Sequence, residues 1–172
     1  RRIAQLVYAG DYEGTFTVYG HDEAIEMLDT FCRMVIPSRF YKYIGNRILL
    51  CAVGDGEEWE AAGMRFTAFD IHSSKTKQYG FSAILPDGRK LVCLGDEPYN
   101  PLTERYVKHS DWLMSEAFCL YADREVFKPY EKYHSTALDA GRDASTLDAR
   151  NLLLYHTEDR NLATRAARYA AE

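Results

Sequence analysis

Long apolar runs are missing from this sequence. None approaches the roughly 20 residues that a membrane-spanning helix needs. Arg1-Arg2 leads into a mixed amphipathic stretch and not into the apolar segment of a signal peptide. Cysteine is sparse: Cys32, Cys51, Cys93 and Cys119 stand far apart. Without a CxxC pair, a zinc knuckle or a thioredoxin-like motif is not expected. Each cysteine sits among apolar neighbours and reads as a buried free thiol, which points to a reducing, cytoplasmic setting. A basic excess is also lacking, with 21 Lys and Arg against 26 Asp and Glu and a net charge of -5. Proteins that grip nucleic acid by its phosphates present a basic face, so only a local basic patch is compatible with this total. Internal repeats and low-complexity segments are absent as well. What is present, 172 residues that are 47% hydrophobic and 27% charged, describes an ordinary soluble globular domain with a real core.

The periodicity predicts a mixed order of strands and helices. The chain opens in what reads as the middle of a helix, residues 1–10, with no cap before it. Strands are expected over 15–20, 47–53, 64–72, 79–85, 90–96, 112–119 and 151–157, where apolar residues alternate or run together. A helix is expected to follow His21, capped by Asp22, with Ala24, Ile25, Leu28, Phe31, Cys32 and Val35 at helical spacing. Further helices are expected over 101–111, 134–149 and the final 15 or so residues. Residues 54–63 read as a polar turn region. Such an order suits an α/β protein whose sheets are covered by helices.

Three strands end in a polar residue: His72, Asp96 and His156. Imidazoles and a carboxylate at strand ends suit Zn²⁺, with Mn²⁺ or Fe as alternatives. Their spacing alone leaves a structural role for each about as plausible. The surrounding words are more specific. DIHSSKTKQYGF, LVCLGD, SDWLMSEAF, YHSTALDA and NLLLYHTED occur in that order. This series, over roughly residues 64–160, resembles the later motifs of the metallo-β-lactamase superfamily, and within it the ribonuclease Z branch.

The resemblance implies an αββα sandwich and a metal-dependent hydrolase, phosphodiesterase-like, with two Zn²⁺ generating a hydroxide near neutral pH. It assigns His72 as a ligand of one metal, Asp96 as the bridging carboxylate and His156 as a ligand of the other. His134 takes the part of the non-ligand imidazole that contacts the phosphate and protonates the leaving oxygen. Glu116 is the carboxylate that orients His134 and keeps it protonated. A phosphodiester or RNA substrate and a homodimer paired through helices are implied by the same analogy. His21 reads as a surface turn residue and His109 as solvated. Lys75 and Lys77, beside His72, read as solvated loop charges within reach of a phosphate.

The sequence also departs from the pattern. The superfamily's H-x-H-x-D-H word does not occur, so the matching residues form part of a site, and metal binding by this chain is expected to be weak. The expectation is one metallo-β-lactamase-like domain over 1–172, incomplete at its N-terminus. Between His72 and Asp96 there is room for a hairpin only, not for the tRNA-gripping arm of the long enzymes. Ser115 stands where the family's His-Glu-Ala-Thr word has its His. These departures and the acidic charge favour a smaller phosphodiester over tRNA. The alternatives are a metal-free interaction module of the same fold, or a lactone or thioester hydrolase.

Overall fold

The computed structural model describes residues 1–160 and 162–172, which divide into two units, Arg1–Gly54 and Asp55–Glu172. Unit one opens with α1 (Arg2–Ala9), closed by Gly10 in the left-handed conformation at φ 80°. Strand β1 (Phe16–Gly20), helix α2 (Asp22–Val35), the single turn α3 (Ser38–Tyr41) and strand β2 (Ile48–Ala52) follow. β1 and β2 pair in parallel, Phe16 opposite Ile48, as a helical crossover allows. Ala4, Ile36, Phe40 and Ile48 form the core of this unit. The cap of α2 is His21, not Asp22: its Nδ1 accepts the Ala24 N–H at 3.3 Å. The imidazole satisfies one of the orphan donors of the first turn, so His21 is more than a surface turn residue.

Unit two is built on one six-stranded sheet in the order β3-β4-β5-β6-β7-β8. Its strands are β3 (Glu58–Ala61), β4 (Met64–Asp70), β5 (Tyr79–Ile84), β6 (Lys90–Cys93), β7 (Trp112–Glu116) and β8 (Leu152–Tyr155). β3 lies inside the stretch expected to be a turn. Ala62 and Gly63 at φ 51° and 73° make a two-residue hairpin, and Trp59 stacks on Phe66 across it at 5.2 Å. Antiparallel pairing continues through β5 to β6, after which β7 and β8 run parallel to β6. Hence β4, β6, β7 and β8 all point the same way, and their C-terminal ends share one edge of the sheet.

The parallel strands need crossovers. The expected helix over 101–111 is a 3₁₀ turn, Pro101–Thr103, and a single turn, α4 (Glu104–Val107); His109 beyond it sits at φ 59°. After β7 come a one-turn helix α5 (Arg124–Phe127) and then α6 (Ala137–Thr146). Thr136 and Asp139 form a capping box at the start of α6, so His134 and Ser135 precede the helix instead of belonging to it. The last helix is short, α7 (Arg165–Ala170); the part of the expected C-terminal helix at Asn161 lies outside the described residues. Phe69, Val92, Leu94, Leu113, Val107 and Leu147 form the main core, between the sheet and the crossovers. Gly80 lets Phe69 lie across β5: an added Cβ would stand 2.5 Å from the Phe69 ring and 2.6 Å from the Cys93 carbonyl oxygen. All four thiols are free, but only Cys119 is fully buried; the other three are half-buried, because their strands and helix turn them to one side of a core. Among the described residues no helix is long and apolar enough to cross a membrane.

Candidate metal centre

The site grows from the shared strand edge. β6 ends at Cys93, and Gly95 at φ 86° then turns the chain so that Asp96 leaves the sheet. Only glycine adopts that conformation without cost. Two strands away β8 ends at Tyr155, and His156 follows at φ 53°. A histidine in the left-handed region is uncommon and marks a residue whose placement the surroundings enforce. Part of that enforcement is Tyr155, whose hydroxyl donates to the Gly95 carbonyl and lies 3.8 Å from the Cys93 Sγ. The residues before the two polar strand ends are thus tied to one another, and His156 Nδ1 stands 3.1 Å from Asp96 Oδ1.

His134 joins them from the loop before α6. Donor atoms of Asp96, His134 and His156 lie within 4.8 Å of one another, a group suited to a divalent cation. The two imidazole rings approach to 4.7 Å at 61°, and Phe118 stacks on His134 at 5.3 Å. Asp96 and His156 are exposed, whereas His134 is 8% exposed. His156 also borders an apolar cavity of about 820 Å³ between β8, α6 and α7, which Asp96 and His134 do not line.

Behind His134 lies Glu116, the last residue of β7 and fully buried. Its Oε1 accepts the Ser135 N–H at 2.6 Å, and its carbonyl accepts the Ser135 hydroxyl at 3.1 Å, which fixes the loop carrying His134. Glu116 Oε2 comes within 3.4 Å of His134 Nδ1, yet the two atoms are not aligned for a hydrogen bond, and neither has another partner. Burial pushes the Glu116 carboxyl up to about 7, against the opposing pull of Ser135. Burial likewise holds the His134 imidazole below its ordinary value, helped by the positive charge of Lys75 and by His156. Burial thus works against the charged form of each group, while the resemblance implies a charged pair.

His72 stands apart from this group. It follows β4 at φ 57°, and its backbone N–H donates to Asp70 Oδ1 at 2.7 Å. The link to the cluster is one residue further on, where the Ser73 hydroxyl donates to Glu97 Oε1 at 2.6 Å. His109 is exposed and pairs loosely with Asp148 at 3.5 Å, just before the start of β7 and so at the opposite end of that strand from Glu116. Sequence reasoning missed Tyr155 and Glu97, two residues that hold the ligand turns. Tyr155 was legible only as an apolar strand residue, and Glu97 only as the acid after a Gly-Asp turn.

No protein-family model and no curated protein sequence matches the chain. Solved structures do. The metallo-β-lactamase fold protein YhfI from Bacillus subtilis superposes with a TM-score of 0.68 at 21% identity, over 96% of this chain and 62% of that one. The chain has the metallo-β-lactamase fold. The short form of human tRNase Z superposes with a TM-score of 0.62 at 20% identity, over 85% of this chain and 61% of the other. A long-form RNase Z from yeast gives 0.66 at 16% identity, over 90% of this chain and 26% of its own. The chain thus spans about three fifths of the length of YhfI and of the short tRNase Z. At these identities the likeness establishes the fold alone.

Proposed function

We propose that this chain carries the Asp96–His134–His156 corner of a metal-dependent hydrolase that acts on phosphodiesters. The observation that supports the reading best is the convergence of those three side chains within 4.8 Å, backed by the buried Glu116. The donor set fits a metal: one carboxylate and imidazoles suit Zn²⁺, and Mn²⁺ or Fe can use the same atoms. Asp96 and His156 would hold it, with His72 as the further ligand that the β4 turn offers. When bound, such a cation polarises a phosphoryl oxygen and lowers the pKa of water.

The remaining chemistry belongs to the chain's own residues. His134 has Nδ1 turned to Glu116, which leaves Nε2 for the leaving oxygen. Burial favours a resting pair in which the shared proton sits on the Glu116 carboxyl beside a neutral imidazole. An anionic phosphodiester arriving beside His134 favours the imidazolium, so the Glu116 proton moves to Nδ1, 3.4 Å away, and Nε2–H, already a donor in the neutral ring, becomes acidic enough to pass its proton to the leaving oxygen. Glu116, now charged, keeps the Ser135 N–H bond that positions the loop. Phe118 against the imidazole limits water on that side. The neighbouring folds named RNase Z agree with a phosphodiester substrate.

The test sets a nucleotide phosphodiester and a lactone side by side as substrates of the chain supplied with Zn²⁺, with and without a chelator. Cleavage of the diester that the chelator abolishes is expected, with His134→Ala losing about a hundredfold or more in kcat. Activity that survives metal removal overturns the metal reading. Faster lactone turnover, indifferent to His134, moves the chain to the neutral-ester class.

A further inference from the structure

The loop between β4 and β5 carries a second device beside His72. It folds round Ser73, whose hydroxyl donates to Glu97 Oε1 at 2.6 Å and accepts the Lys75 N–H at 3.1 Å. Glu97 is 8% exposed and directly follows Asp96, so the loop is anchored to the residue beside a candidate ligand. The anchoring turns Lys75 inward. Its side chain is 34% exposed; its Nζ lies 4.0 Å from Glu97 Oε1 and 5.8 Å from the centre of the Tyr133 ring.

Tyr133 immediately precedes His134 and is itself unusual. It stands at φ 59° and is 56% exposed. Two backbone bonds pin it, Tyr133 N–H to Tyr130 O at 3.3 Å and His134 N–H to Pro129 O at 3.0 Å. An exposed aromatic ring held in a strained turn forms a shelf, and the ammonium resting over it gains a modest cation–π attraction without losing its water. The 4.0 Å to Glu97 exceeds hydrogen-bond distance, so the three N–H donors of Lys75 are not consumed by that carboxylate. Its charge acts on both His134 and Glu116, which puts it within electrostatic range of the catalytic pair. Lys77, two residues on, lies over Tyr79 at 5.6 Å instead.

We propose that Lys75 is the anion-binding residue of this site, its ammonium taking a non-bridging oxygen of a phosphoryl group that lies between it and His134. Tyr133 sets its height and Glu97 its direction. In a chain with a net charge of -5, one placed cation separates an anionic phosphodiester from a neutral ester at the corner where the bond breaks. The inference rests on the phosphodiester reading for its meaning, but its first test does not need turnover.

That test titrates inorganic phosphate into the full chain, metal-free and with Zn²⁺ added, following the amide signals of residues 73–78 and the Tyr133 ring by NMR. Lys75→Ala is expected to weaken phosphate binding by about tenfold or more, as loss of a charge-assisted hydrogen bond implies, and Lys75→Arg to restore it within about threefold. Lys77→Ala is expected to bind as the parent does. Unchanged phosphate affinity in Lys75→Ala, with the fold intact by its amide spectrum, overturns the proposal. So does an equal loss in Lys77→Ala, which would mean diffuse charge only. Where turnover is measurable, Lys75→Ala raises KM for the diester. A chain that turns over no diester but binds phosphate through Lys75 would fail the hydrolase reading while keeping this one.

Discussion

Two exposed histidines follow parallel-running strands on the same edge of one sheet, both in the left-handed conformation, and they differ in what their side chains meet. His156 is 3.1 Å from Asp96 and 4.7 Å, ring to ring, from His134. His72 makes no side-chain bond among the described residues. The reason lies in the sheet. β6, β7 and β8 are adjacent and parallel, so their C-terminal residues are brought side by side by the ladder itself, Glu116 opposite Tyr155. β4 is separated from β6 by the antiparallel β5, and His72 depends on a loop anchored through Ser73 and Glu97. One half of the site is preassembled by hydrogen-bond register, and the other hangs on a loop. A ligand corner built by strand ends is rigid before any cation arrives, which lowers the ordering cost of binding.

The largest effects should come from breaking the assembled corner. Asp96→Ala or His156→Ala is expected to lower Zn²⁺ affinity by more than about a hundredfold, beyond what loss of a ligand's supporting partner costs. His72→Ala is expected to cost the isolated chain about tenfold at most, since its imidazole must be brought in. Isothermal titration of the three variants decides the matter. Equal losses for His72 and His156 would mean that the loop closes on the cation and that the two halves are energetically one.

Burial is the second property that separates the two regions, and Glu116→Gln exposes it. The folded Glu116 carboxyl titrates at about 7 against an ordinary 4.5. The folded chain therefore holds a proton that the unfolded chain has already released. Stability is greatest below about pH 4.5 for this group, falls as pH rises between the two values, and stays lower by roughly 3 kcal/mol above 7. The amide keeps an oxygen for the Ser135 N–H and turns its NH₂ toward His134 Nδ1. Glu116→Gln should then exceed the parent in stability at pH 8, with the gap closing toward pH 5, as read from denaturant midpoints. His72→Gln should move neither. A Glu116→Gln gap independent of pH would mean that the carboxyl is not protonated in the folded chain.

How much of this was legible beforehand follows the same division. Strand ends at Asp96 and His156 were readable because apolar runs stop there, but the helix expected from His134 starts only at Ala137, after the Thr136 cap. Glu116 stood out as a lone acid in an apolar strand, where burial demands a reason. The meeting of Asp96, His134 and His156 was implied by the resemblance alone, because it depends on parallel pairing between strands that are far apart in sequence. The 58–61 strand was hidden by its glutamates: on an edge strand they face solvent while Trp59 packs, so polarity imitated a turn. The helix expected over 101–111 shrank to single turns because Pro101 and the left-handed His109 bracket it. Lys75 looked like loop charge because nothing local announces a shelf supplied by Tyr133.

The smallest effect should be the most diagnostic of how the corner is held. The Tyr155 hydroxyl donates to the Gly95 carbonyl, and burial holds its phenol above the ordinary range, so it stays a donor at every working pH. Tyr155→Phe keeps the ring and its packing and removes one hydrogen bond, at a cost of about 1 kcal/mol in stability. Each residue it joins is the immediate predecessor of a candidate ligand, Gly95 before Asp96 and Tyr155 before His156. If the bond sets the spacing of the two ligands, Zn²⁺ affinity falls by about tenfold at a temperature where the variant is fully folded, as loss of a supporting contact does in metal sites. If the bond serves stability alone, the midpoint shifts and the Zn²⁺ affinity does not. In that case the left-handed turns at Gly95 and His156 hold the corner by backbone geometry, and Gly95→Ala becomes the substitution that should loosen it.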